Sequence, residues 1–232
     1  MKAVLRILPR LAVSLLPALA PLQASTVPAD FSPAAADVAQ PKDLPAVGKW
    51  MLDPDLTPAH WLGEIHEGKP LREPINIIVI DRAADSAEAA RQRLLQASAA
   101  AGYPPREGHS AGYFGYIGDA LHPEPPGGRH RALSDRPFEI DNNHGRLFGP
   151  YRHRDGYIFI GAFSREKVEP FEHIKHRFVS FNRARDDYAD RMDRHTDFAR
   201  SGWVELDNTL IGSAPAHTGD HDGIAVLLVT EP

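Results

Sequence analysis

Ile75-Asn-Ile-Ile-Val-Ile80, entered through Pro74 and left through Asp81, decides the fold class. Every residue but Asn76 is apolar, and a run of that length without polar alternation is a strand covered on both faces. Asp85 followed three residues later by Glu88 has the form of a capping box. The Ala, Leu and Arg rich stretch from Ser86 to Ala101 then predicts a helix that Gly102 stops. A buried strand feeding a helix places helix on at least one face of a sheet.

Further along, residues 102 to 137 are rich in Gly and Pro and predict loop with one short strand around Tyr113 to Ile117. Glu139 to Phe148 and Tyr157 to Phe163 flank a turn centred on Asp155-Gly156 and read as an antiparallel hairpin. Arg183 to Arg200 predicts a charged helix capped by Asn182, with Ala184, Tyr188, Met192 and His195 on its apolar stripe. Trp203 to Ile211 and Gly223 to Val229 supply two last strands. The order fits an α/β fold: one mixed β-sheet with helices packed on it, a single domain from residue 48 to residue 232, without internal repeats.

Upstream of that domain the chain carries an address. Lys2 and Arg6 precede a short apolar stretch from Leu11 to Leu22, and Ala24 offers a small-residue cleavage point, so residues 1–24 read as a signal peptide. The stretch contains Pro17 and Pro21 and is shorter than the roughly 20 apolar residues that span a bilayer. Residues 25–47, dominated by Ala and Pro, read as a flexible linker. The expected location is periplasmic or secreted, with N-terminal membrane anchoring as the variant in which the signal stays attached.

The chain has no cysteine, which excludes disulfides, thiolate metal ligands and a cysteine nucleophile. Its formal charge of −5 becomes −8 when Lys2, Arg6 and Arg10 leave with the signal, a balance unsuited to nucleic acid.

The layout resembles the LssY C-terminal domain family, a domain often appended to bacterial membrane proteins related to lipid-phosphate phosphatases. The matching pieces are Glu73 to Ile80 with the helix after it, Ala100-Ala-Gly-Tyr103, Asn143-His-Gly-Arg-Leu-Phe148, Asp155 to Phe163, and His176 before the charged helix. They span roughly residues 70 to 200. The resemblance implies an α/β envelope domain and no catalytic residues, because the phosphatase machinery of those relatives lies in a membrane module absent from this chain.

Candidate chemistry centres on the hairpin. His144 and Arg146 are two apart, so strand alternation projects them to one side with Gly145 between them. Together with His153 and His176 they form an expected ligand-binding set for an anionic group. Neither metal nor cofactor is assigned: His173 with His176, and His217 with His221 and Asp222, have ligand-like spacings but lack a glutamate in general-base register. No serine occupies a G-x-S-x-G elbow, since Gly161-Ala-Phe-Ser164 has the wrong spacing. The leading expectation is an exported envelope domain that binds an anionic ligand or a membrane-protein partner without catalysis. The alternatives are a metal- or histidine-dependent hydrolase using His144, His176 or His221, acting on phosphorylated or lipid-linked substrates, and an interaction module using Trp50 and Trp61.

Overall fold

A computed structural model describes residues 31–126, 131–154, 156–169 and 175–232. The expected signal peptide, Asp155 and His173 lie outside the described residues. In chain order the first elements are β1 (Val38–Ala39), β2 (Val47–Gly48), β3 (His60–His66), β4 (Lys69–Arg72), β5 (Ile77–Asp81) and α1 (Ala87–Ala100). Then come β6 (Pro105–Glu107), β7 (Phe114–Ile117), β8 (Ala120–Pro123), β9 (Arg131–Ser134), β10 (Asn142–His153) and β11 (Gly156–Glu169). The last are β12 (Lys175–Ser180), α2 (Phe181–His195), β13 (Ala199–Glu205) and β14 (Ile224–Val229).

Eight strands form one mixed sheet in the order β13-β14-β5-β11-β10-β9-β6, with β12 also on β11. Only β14 with β5 is parallel among these pairs; the rest are antiparallel. The strand read from Ile75 to Ile80 is central, and its side chains divide between the two faces. Ile77 and Val79 pack with Ala90 and Leu94 of α1 and Tyr188 and Met192 of α2. Ile78 turns to the other side, where it meets Val47, Met51 and Ile117. The molecule is therefore layered: both helices on one face, a small sheet of β1, β2, β7 and β8 on the other.

Each helix begins one or two residues from where the sequence suggests. Ser86, rather than Asp85, caps α1, its hydroxyl accepting from Ala89 N–H at 3.1 Å. Ser180, rather than Asn182, caps α2 by accepting from Arg183 N–H at 2.9 Å. The second helix also ends sooner: His195 is exposed and Phe198, already past the helix, returns to the core.

Three sequence expectations need correction. Between residues 102 and 137 the chain forms β6, β8 and β9 besides the single strand expected, because Pro and Gly are tolerated in short edge pairings. Within the expected linker, Val38–Ala39 pairs with Val47–Gly48, and Val47 is fully buried. This stretch is anchored by apolar contact and by Asp37, whose carboxylate accepts from Trp50 Nε1–H at 2.7 Å. Finally, Trp50 and Trp61 are buried, which removes them as an interaction surface. Among the described residues no helix is long and apolar enough to cross a membrane.

Candidate functional site

Alternation along β10 and β11 builds the site. Gly145 and Leu147 face the helices, whereas Asn142, His144 and Arg146 face the opposite way. His144 pairs with Ser164 and Asn142 with Glu166, so β11 presents Ser164 and Glu166 beside them. His176 arrives from β12, its Nδ1 2.9 Å from Glu166 Oε2. Glu73, at the entry to β5, and His109, from the loop after β6, close the ring. All except Asn142 and Ser164 line one recess of about 220 Å³, walled on its other sides by Trp61, Tyr113 and Phe138.

Three of the four sequence candidates, His144, Arg146 and His176, are thus neighbours. His153 is not. It lies nine residues beyond His144, roughly 30 Å along a strand that rises about 3.3 Å per residue. There it lines a separate recess with Arg82, Arg154 and Asp43. Gly145 serves packing on the helix side, since a Cβ there would sit 2.3 Å from the Phe163 ring.

Burial and close partners fix several polar groups of the recess. The His144 ring is held on both edges, Nδ1 3.0 Å from Asn142 Oδ1 and Nε2 3.3 Å from Ser164 Oγ, and Ser164 Oγ accepts from Trp61 Nε1–H at 3.0 Å. Burial, reinforced by His109, Arg146 and His176, pushes the His144 pKa well below the usual imidazole range. His109 stacks on His144 with ring centroids 4.7 Å apart, and its pKa falls to about 4, chiefly by burial and then by Arg146 and His176. Both rings are neutral at pH 7. Burial lifts Glu73 to about 7 against the opposing pull of Arg146, and it also raises Glu124 and Glu166.

Arg146 is already engaged. Its Nη2 donates to Ser110 O at 2.6 Å, its Nε lies 3.1 Å from Glu124 Oε2, and its guanidinium covers the Tyr113 ring at 4.5 Å. Glu73 and Glu166 remain on the recess wall, and among the described residues no second guanidinium lines it. Arg146 Nε and His176 Nδ1 have carboxylate neighbours, whereas His109 Nε2 is buried with no hydrogen-bond partner among the described residues.

The other histidines are dispersed. His221 Nε2 is 2.7 Å from Asn208 Oδ1, and this amide in turn donates to Lys49 O and Ile75 O. His217 packs on His66 with ring centroids 4.7 Å apart and tilted by 47°, and approaches Glu67 at 3.3 Å. Gly219 N–H donates to His217 Nδ1 at 2.9 Å, so Nε2 carries the proton of the neutral ring and points it at Glu67. With Nδ1 occupied by the backbone and Nε2 protonated, this ring has no lone pair free for a metal.

Sequence reasoning missed Glu73, His109, Ser164 and Glu166. The last two lie just beyond the strand end placed at Phe163, and the face they take depends on the register of the hairpin. His109 sits in a loop and has no sequence signal.

Comparison of the chain with protein-family models, with curated proteins and with solved structures finds no match.

Proposed function

We propose that this is an exported envelope protein, similar to the LssY C-terminal domains, whose recess is a metal- or histidine-dependent hydrolytic site for phosphorylated or lipid-linked substrates. The observation that carries the reading is the convergence of His109, His144, His176, Glu73 and Glu166 on one recess. An anion held by Arg146 alone fits less well, because that guanidinium is already engaged by Glu124 and Ser110. Hydrolysis needs what is present: groups able to take a proton from water as its oxygen bonds to the scissile centre, and to return that proton to the departing ester oxygen. Leu62, 61% exposed at the rim, offers an apolar contact for the rest of a lipid-linked substrate.

Assays of the purified protein with p-nitrophenyl phosphate, bis(p-nitrophenyl) phosphate and p-nitrophenyl acetate test this. Turnover of at least one is expected, with His144→Ala and Glu73→Gln each lowering it by about 100-fold or more. Absence of turnover on all three, or turnover indifferent to both variants, overturns the reading. Binding of inorganic phosphate without turnover would return the recess to an anion receptor.

A further inference from the structure

We infer that the recess holds one divalent first-row metal ion, with His109, His144 and Glu166 as its protein ligands. This deepens the hydrolytic reading and rests on it only for what the ion does once bound. One nitrogen from each ring and one oxygen of the Glu166 carboxylate all lie within 4.8 Å of one another, and all three residues are buried. The set comes from three separate segments: the loop after β6, β10 and β11.

Four observations point to a ligand rather than to a polar packing arrangement. His109 is 7% exposed, yet its Nε2 has no hydrogen-bond partner among the described residues. Leaving such an atom unpaired costs about 1–3 kcal/mol unless something outside the chain bonds it. The supporting contacts are those that fix ligands in place: whichever nitrogen of His144 takes the ion, the other keeps Asn142 or Ser164 as partner. Glu166 is oriented by Asn142 Nδ2–H and by His176. The protein supplies three donors and opens on the recess, leaving a position for water, which is the pattern of a catalytic rather than a structural site.

The donor set of two imidazoles and one carboxylate, with no cysteine in the chain, suits zinc, manganese or ferrous iron rather than a thiophilic ion. Arg146, turned to Glu124 and Ser110, is a cation near the ion but paired with its own carboxylate. The cluster of His66, Glu67 and His217 provides an internal control, because His217 Nδ1 already accepts a backbone hydrogen bond.

The test is zinc binding by purified full-length protein after chelator treatment, followed by calorimetry and elemental analysis, with cobalt(II) absorption as a second readout. One equivalent of zinc is expected in the wild type and in His217→Ala. His109→Ala, His144→Ala and Glu166→Gln should each lose stoichiometric binding, with unaltered circular dichroism marking the variants that have folded. Cobalt(II) should give d–d absorption without a thiolate charge-transfer band. Because Glu166→Gln preserves shape, retained stoichiometric zinc in that variant overturns the site, as does zinc lost in His217→Ala but kept in His109→Ala. The hydrolysis assay separates the two proposals. Zinc bound without turnover leaves the site and sinks the hydrolase, whereas turnover by protein that takes up no stoichiometric zinc keeps the hydrolase and sinks the site.

Discussion

The two faces of the central sheet use the same pair of strands for opposite ends. Toward the helices, Leu147, Phe159 and Phe163 meet Tyr188 and Met192 with almost no polar atom unaccounted for, Ser98 Oγ and Tyr188 OH lying 2.9 Å apart. Away from the helices, the neighbouring positions of β10 and β11 place His144, Arg146 and Glu166 at 7%, 5% and 1% exposure. Burying charged and polar groups opposes folding unless each is paired, and well-packed apolar residues would stabilise the same volume at least as well. The helix face is closed chiefly by apolar packing, whereas this part of the other face buries polar groups at a cost that the ion proposed above would offset.

The largest effect should come from the helix face. Phe163 is 1% exposed and stacks on Tyr188 at 4.1 Å, so Phe163→Ala removes a large ring from a site that cannot collapse around the hole. A loss of about 3–5 kcal/mol in urea unfolding is expected. A loss below about 1 kcal/mol would break the comparison, because the helix layer would then contribute little.

A smaller effect concerns acid. His221 is buried against Asn208, faced also by Asp222, Asp220 and Arg185, and its pKa is lowered to about 4, mainly by burial. The unfolded chain titrates near 6.5, so unfolding takes up a proton between these values. The stability this neutral ring confers is complete above about pH 6.5, declines as pH falls, and levels off below about 4, a change of up to about 3 kcal/mol. His109 follows the same sign from the recess side. His221→Gln should therefore flatten the fall in urea-unfolding stability between pH 6.5 and 4 without abolishing it. An unchanged pH profile would mean that His221 is solvated and protonates freely.

How much of this could be read from the chain follows from where the information is local. Ile75 to Ile80 and the helix after it are legible because β-branched density and a Gly stop are short-range signals. So is the shared side of His144 and Arg146, which needs only alternation. What faces them was not legible, because it depends on register. A turn read at Asp155-Gly156 with an unbroken ladder sets Lys167 opposite His144 and turns Glu166 to the helix side. In the structure His153 pairs with Gly156, and the ladder slips again between Phe148 and Tyr151, where Pro150 cannot donate a ladder hydrogen bond. Those two small shifts bring Ser164 opposite His144 and Glu166 into the recess. Glu73 and His109 join through tertiary packing alone, for which no spacing in the sequence is diagnostic.

The smallest expected effect is the sharpest probe of the comparison. His109 is as buried as many core side chains, so an ordinary core role predicts that replacing it costs several kcal/mol. Its chemistry predicts the reverse: Nε2 is unpaired, burial depresses its pKa, and it contributes stacking on His144 and an edge contact to Phe138 that a similar-sized apolar group largely replaces. His109→Leu removes the unpaired nitrogen and the acid-dependent term while keeping most of the volume, so stability at pH 7 should stay within about 1 kcal/mol of the wild type or rise. Chemical unfolding of chelator-treated protein measures this without a ligand's contribution. A loss of about 3 kcal/mol would make His109 a structural member of the fold and erase the distinction between the two faces. A neutral or stabilising outcome means that the imidazole is held in the recess against the preference of the folded chain itself.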